Sequence, residues 1–356
     1  MYRSQNPTIS GLAVLVAITV SLVLSNFLLS ARGQGTPPTK ANPSEKEQNP
    51  NYRLSGPYTH KNLTIFLVHG NELIPGHSFL TLQEALAQKK VIVYETKDVN
   101  ELAIRNLSNQ DIYVQSGDIV RGGDQDRMIS MDFIVPPKSG RMPIAAFCVE
   151  SGRWSRRGNE VNASFASSDN SASTKELKLA AKSENSQQAV WENVAVAQEK
   201  LSKNVNATVN AVVSRSSLEL SLENVKVKES AANYIQAFAN VLKNKKDVIG
   251  FVFAINGQVN SADVYASGAL FAKLWPKLLK ATAVEAIAEL EENTKPASVQ
   301  ESAVTAFLVG PDKAASEKDV TRRVRLLTRE NDESVFFETR DRQKKDAWIH
   351  RNYIKK

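Results

Sequence analysis

Cysteine is almost absent: Cys148 stands alone among 356 residues, so the chain has no internal disulfide and its stability rests on packing. Histidine is nearly as scarce. His60, His69, His77 and His350 form no metal-ligand spacing, and a lone histidine is usually structural. Asp124 and Asp126 resemble a fragment of a calcium loop, but the downstream glycine and glutamate are missing. No Gly-x-Ser-x-Gly elbow, Walker loop or dinucleotide fingerprint occurs, and no motif calls for a metal or cofactor. A mean hydropathy of −0.31 excludes a multi-spanning membrane protein. The net charge of +7 comes with 23% charged residues of both signs and no aromatic-and-basic motif, so it describes a solvated surface and not a nucleic-acid interface.

The one long uncharged stretch is at the N-terminus. Leu12 to Leu24 is apolar except for Thr19 and Ser21, and no charge falls from Leu12 through Ser30, while Arg3 supplies a short positive flank. A buried helix of a soluble domain is amphipathic; this run is apolar on every face. Residues 1–33 are therefore expected to be a signal peptide or an N-terminal membrane anchor. Ala31 and Gly33 fit the small residues of a cleavage site that releases a chain at Gln34, and retention as a single anchoring helix is the open alternative. Either fate exports the remainder to a periplasmic or extracellular location. The membrane is a partner if the segment stays uncleaved.

Residues 34–53, with Gly35, Pro37, Pro38, Pro43 and Pro50 among polar neighbours, read as a tether. From residue 54 the pattern is that of one compact α+β domain. Short apolar runs at Leu63–Val68, Val91–Glu95, Glu101–Leu107, Ile112–Ser116, Arg127–Val135 and Pro143–Val149 predict an antiparallel β unit in the N-terminal half. Thr81-Leu-Gln-Glu84 predicts a capped helix start between the first two. The Ser-, Asn- and Ala-rich stretch 158–186 reads as a flexible surface loop. Helices follow, with Val190, Val194, Ala197 and Leu201 on one face and Tyr234, Phe238, Val241 and Leu242 on another. Asn256-Gly257 predicts a β-hairpin, and Ala269 to Leu290 a long helix kinked or broken at Pro276. Two short β segments and a basic tail, Arg340 to Lys356, complete the chain, and Trp348, Tyr353 and Ile354 predict that the tail packs onto the domain.

Two segments could carry chemistry. Ser116 to Arg127 packs three glycines and five charges into twelve residues, so the backbone could approach a ligand while Arg121 or Arg127 forks onto an anion. The same residues also suffice for a pair of charged hairpin turns. In Phe147-Cys-Val-Glu-Ser-Gly-Arg-Trp154, Cys148 and Arg153 have the C-x4-R spacing of rhodanese-like loops, making Cys148 a candidate nucleophile with Glu150 beside it. Against that role, Glu150 puts a negative charge in the loop, no helix follows to lend its dipole, and Cys148 ends an apolar strand. Asn62, Asn106, Asn162 and Asn206 open glycosylation sequons.

Taken together, the segments Asn62-Leu-Thr-Ile-Phe66, Leu80–Leu86, Gly122–Arg127, Phe147–Trp154, Val190–Val194, Gly250–Val264 and Leu274–Leu278 resemble the ARG and rhodanese-phosphatase-superfamily-associated protein domain. The resemblance runs from about Leu54 to the C-terminus and implies one domain. Asp124 stands where a basic residue is expected in that family. The family is named for its association with ADP-ribosylglycohydrolases and rhodanese-type phosphatases, which implies a small anionic ligand of phosphate or ADP-ribose character. The candidate ligand-binding residues are Arg121, Gln125, Arg127, Arg153 and Asp263, and the candidate catalytic residues Cys148 and Glu150. An envelope-resident binding or accessory domain is the leading expectation. A hydrolase or transferase acting on an anionic, nucleotide-like substrate is the alternative.

Overall fold

A computed structural model describes residues 52–153, 165–291 and 297–356. Residues 1–33, expected to direct export, and nearly all of the 34–53 stretch lie outside the described residues. Strand β1 (Arg53–His60) turns through Lys61 and Asn62 into β2 (Leu63–His69). A two-residue β3 (Leu80–Thr81) leads into α1 (Leu82–Ala87), closed by the expected capping box between Thr81 and Glu84. Seven strands follow: β4 (Val91–Glu95), β5 (Glu101–Asn106), β6 (Ile112–Val114), β7 (Asp118–Arg121), β8 (Arg127–Ile129), β9 (Phe133–Val135) and β10 (Met142–Cys148). After β11 (Ala166–Ser171) come the helices α2 (Lys175–Lys182), α3 (Gln187–Asn204), α4 (Leu218–Leu222) and α5 (Val225–Phe238). The Asn-Gly turn joins β12 (Val248–Ile255) to β13 (Gln258–Tyr265), with both turn residues at the positive φ that this turn type demands. The chain ends through α6 (Gly268–Ala288), α7 (Glu301–Val309), β14 (Ser316–Asp319), β15 (Val324–Glu330), β16 (Ser334–Asp341) and β17 (Ala347–Lys355).

These strands form an eight-stranded antiparallel sheet in the order β1-β2-β12-β13-β17-β16-β15-β14, a six-stranded sheet β11-β7-β8-β10-β5-β4, and a three-stranded sheet β3-β6-β9. All described residues belong to one compact unit, Glu45–Lys356, and the fold class is α+β. The central strands of the large sheet are apolar on both faces because both are covered. Leu63, Ile65, Leu67, Phe251 and Phe253 pack with Phe271 and Trp275 of α6, while Phe66, Val68, Val252 and Ala254 pack with Val304 and Leu308 of α7. Each such side chain, fully buried, contributes about 1.5–3 kcal/mol. Among the described residues no helix is long and apolar enough to cross a membrane.

The antiparallel β unit of the N-terminal half is present, and β2 also pairs with β12 from the C-terminal half. Three expectations are corrected. Arg127–Val135 is two strands in different sheets: at Ser130–Asp132 the chain leaves the partners of β8 for those of β9. The described part of the 158–186 stretch is not a loop but β11 and α2. Its small residues are buried by hydrogen bonding as much as by apolar area, with Ser168 donating to Glu219 and Thr174 capping α2 at Leu177. Finally, α6 runs unbroken through Pro276, which lies on an exposed side of the helix, where water can serve the acceptor left without its amide. Two of the sequons are closed to modification in the folded state: Asn106 is buried, and buried Asn62 donates to the Ala286 carbonyl and accepts from Tyr234.

A buried arginine fastens the three-stranded sheet to the end of the large one. Arg323 donates twice to Asp111 (2.5 and 2.8 Å) and twice to Asp341 (2.9 and 2.7 Å), all three side chains being buried. Removing the guanidinium leaves two buried carboxylates facing each other. Arg323→Ala is therefore expected to lower the unfolding free energy by about 3–5 kcal/mol. Chemical denaturation measures this, and a loss within the error of wild type would refute the clamp.

Candidate functional site

At the junction of the sheets lies a set of buried charges, each from a different element. Asp132 comes from the crossover between β8 and β9, Asp263 from β13, His350 from β17 and Lys182 from the last turn of α2. His350 Nδ1 is 2.8 Å from Asp132 Oδ2, and Nε2 is 3.0 Å from Asp263 Oδ1. Ionised carboxylates only accept, so both ring nitrogens donate and His350 is an imidazolium. Burial opposes that charge, yet the two aspartates hold the His350 pKa above its ordinary value. Burial also disfavours the charged aspartates, but it is outweighed: Lys182 and His350 hold Asp132 far below the usual carboxylate range, and His350 and Lys178 lower Asp263. Lys182 is itself shifted down by burial against the pull of Asp132 and Asp263, and its ammonium lies 4.7 Å from the centre of the Phe337 ring. Thr339 and the Ser116 amide complete the shell of Asp132, Asn352 donates to Asp263 Oδ1 at 2.9 Å, and Tyr265 stacks on the His350 ring at 4.4 Å.

Asp263 opens this network onto a small cavity of about 30 Å³, room for one or two waters. Its wall is polar where it counts: Ser116, Ser171, Lys178, Asp263, Thr282 and Asn352 line it, drawn from the loop after β6, the end of β11, α2, β13, α6 and β17. Lys178 stands between this cavity and a second buried acid, its Nζ 4.0 Å from Glu285 Oε2. Glu285 Oε1 accepts from the Lys175 amide and from Asn260, while Oε2 has no hydrogen bond. Burial pushes the Glu285 carboxyl up to about 7, with Lys178 pulling the other way. The region thus pairs an ionised carboxylate, Asp263, with one that changes charge near neutrality, the arrangement that proton-transfer sites use.

The sequence candidates divide between this centre and a second one. Arg127 and Cys148 face each other across β8 and β10; Arg127 donates through Nη1 to the Cys148 sulfur and the Val99 carbonyl, and through Nη2 to Glu95 at 3.1 Å. Gln187 clasps the Cys148 backbone at both its amide (2.8 Å) and its carbonyl (2.9 Å). Cys148 is fully buried, and burial pushes its thiol up to about 11 against the pull of Arg127. That is the chemistry of a packed residue and not of a thiolate nucleophile. Glu150 is buried, pairs with Arg153 at 2.7 Å and accepts from Ser214. Gln125 is fully buried and neither atom of its amide is hydrogen-bonded. Arg121 turns away to Glu223 (3.1 Å) and Glu219 (3.8 Å), and Asp124 pairs with Lys97 at 2.6 Å. Asp263 alone of the candidates lies at the cavity; Trp154 falls outside the described residues.

Sequence reasoning passed over Asp132, Lys178, Lys182, His350, Asn352 and Glu285. The usable signal was a charge inside an apolar run: Asp132 in Met131–Val135 and Glu285 in the Ala281–Ala288 stretch.

The profile of the ARG and Rhodanese-Phosphatase-superfamily-associated Protein domain matches residues 51–354. No curated protein and no solved structure matches the chain.

Two outcomes follow from the titrations. Because the folded Glu285 pKa exceeds that of the unfolded chain, its contribution is fully present below about pH 4.5 and is lost as pH rises through 7. Glu285→Gln is expected to lose nothing on that rise, so its stability relative to wild type should climb by about 3 kcal/mol between acid and alkaline pH. Denaturant midpoints across that range test it; parallel profiles would refute the assignment. Cys148 in folded protein should resist iodoacetamide at neutral pH and react once denatured, and rapid alkylation of the folded form would restore the nucleophile reading.

Proposed function

We propose, for a chain that belongs to the ARG and Rhodanese-Phosphatase-superfamily-associated Protein domain family, that it is an exported, envelope-resident binding domain for a small anionic ligand of phosphate or ADP-ribose character. The observation that carries this reading is the convergence of Lys178 and Asp263 on one polar cavity. In this reading the Lys178 ammonium takes the anionic group, and Asp263, held by His350 and Asn352, accepts from a ligand hydroxyl. A cavity of about 30 Å³ holds one or two waters, so on this reading an oxygen of the anionic group enters it and the rest of the ligand stays at the rim. The family name supports the choice of phosphate or ADP-ribose chemistry, and the uncharged run Leu12–Ser30 supports export.

A hydrolase or transferase reading rests on one observation, the Glu285 carboxyl pushed up to about 7 beside Lys178. On that reading Glu285 moves the proton while Asp263 stays ionised.

Thermal-shift titration of the full chain with inorganic phosphate, ribose 5-phosphate and ADP-ribose tests the binding reading. A ligand present at one hundred times its Kd should stabilise the fold by about 2.7 kcal/mol. Lys178→Ala and Asp263→Asn should each remove that response; a response equal to wild type in both variants would exclude this cavity. Release of product from ADP-ribose or a phosphomonoester, lost in Glu285→Gln with binding retained, would favour the enzyme. Recovery of the intact chain in the cytosolic fraction of expressing cells would refute export.

A further inference from the structure

The segment joining α3 to α4 carries an apolar tip that local folding does not require. Ser214 N donates to the Ala211 carbonyl at 3.1 Å, closing a tight turn with Val212 and Val213 at its centre. Gly, Asn and Asp favour such positions, and β-branched residues do not. The two valines are 91% and 78% exposed, with their side chains in solvent. Rigid anchors hold the tip: Val209 is buried beneath it, Gln198 and Asn210 both donate to the Arg215 carbonyl, and Ser214 donates to Glu150. Asn224 donates to the Thr208 carbonyl, placing the start of α5, with Val225 65% exposed, against the same segment. In the same segment and in helices α3 and α5, Lys203, Arg215 and Lys228 are exposed, and Lys226 pairs with the exposed Glu229.

We infer that the Val212–Val213 tip docks onto an anionic lipid surface, the valines entering the headgroup boundary and Lys203, Arg215 and Lys228 meeting the lipid phosphates. Exposed apolar prongs with exposed basic residues in the same segment and in α3 and α5 fit that surface on both counts, apolar insertion and charge. A protein groove would account for the valines but gives no reason for the excess of exposed basic residues. This inference stands apart from the cavity ligand and uses none of its residues.

Cys148 is buried, so a single introduced thiol can be labelled selectively. Val213→Cys in the full chain, carrying an environment-sensitive dye, is mixed with lipid nanodiscs made either of phosphatidylcholine alone or with phosphatidylglycerol added. Co-elution with the discs reports on the N-terminal segment, and the dye reports on the tip whether or not the segment inserts. A blue shift confined to anionic discs and relieved by high salt is expected. Reversing Lys203, Arg215 and Lys228 together to glutamate should weaken the dye's response on the order of a hundredfold. A water-like dye on both discs overturns the inference, as does a shift of equal size on both. A shift seen in native membrane fractions but not on discs of lipid alone assigns the tip to a protein partner and also overturns it.

Discussion

Everything at the centre of this fold depends on the balance of four charges taken out of water. Asp132 and Asp263 flank His350, Lys182 lies close enough to both aspartates to shift their titration, and two negative charges face two positive ones. An unpaired ion at that depth costs several kcal/mol, so no member of the set is stable without the others. The four come from the crossover of the smaller sheets, two strands of the large sheet and the end of a helix. The charges can be neutralised only when those elements are in place. The network therefore does for position what a disulfide would do for connectivity, in a chain with a single thiol.

The two polar centres differ in how complete they are. Around Cys148 the partners are supplied from within the protein: arginine on sulfur, glutamine on both backbone groups, glutamate on the arginine. Around Asp263 one oxygen is fully engaged while the carboxylate also borders open space shared with Lys178. A ligand adds most free energy where the protein has left groups to be satisfied, which favours the second centre.

Local grammar was legible in the sequence. The Thr81–Glu84 capping box, the Asn256-Gly257 hairpin and the Val190–Leu201 face all take the conformations their residues dictate, because each is decided within a few positions. Long-range pairing was not. Trp348, Tyr353 and Ile354 mark the basic tail as packing onto the domain, but nothing in them names the interior place between β13 and β16 that it takes. His350 is unremarkable until Asp132 and Asp263, 218 and 87 residues away, reach its ring. The stretch 158–186 misled for a related reason. Serine and asparagine read as solvent-loving, and only a partner such as Glu219, 51 residues on from Ser168, makes their burial tolerable.

The strand order has a temporal side. Translation delivers β2 early, but its inner neighbour β12 begins about 180 residues later, after the whole of the six-stranded sheet and five helices have been made. Strand β17, which joins β13 to β16, arrives after every other strand of its sheet. An apolar strand buried on both faces at maturity thus waits with only β1 beside it while most of the chain is synthesised, and the closure that ends the wait pairs residues of large sequence separation, the slow class of event in folding. The smaller sheets can gather locally; the large one is assembled around them, with His350 seating the charge network in the closing step.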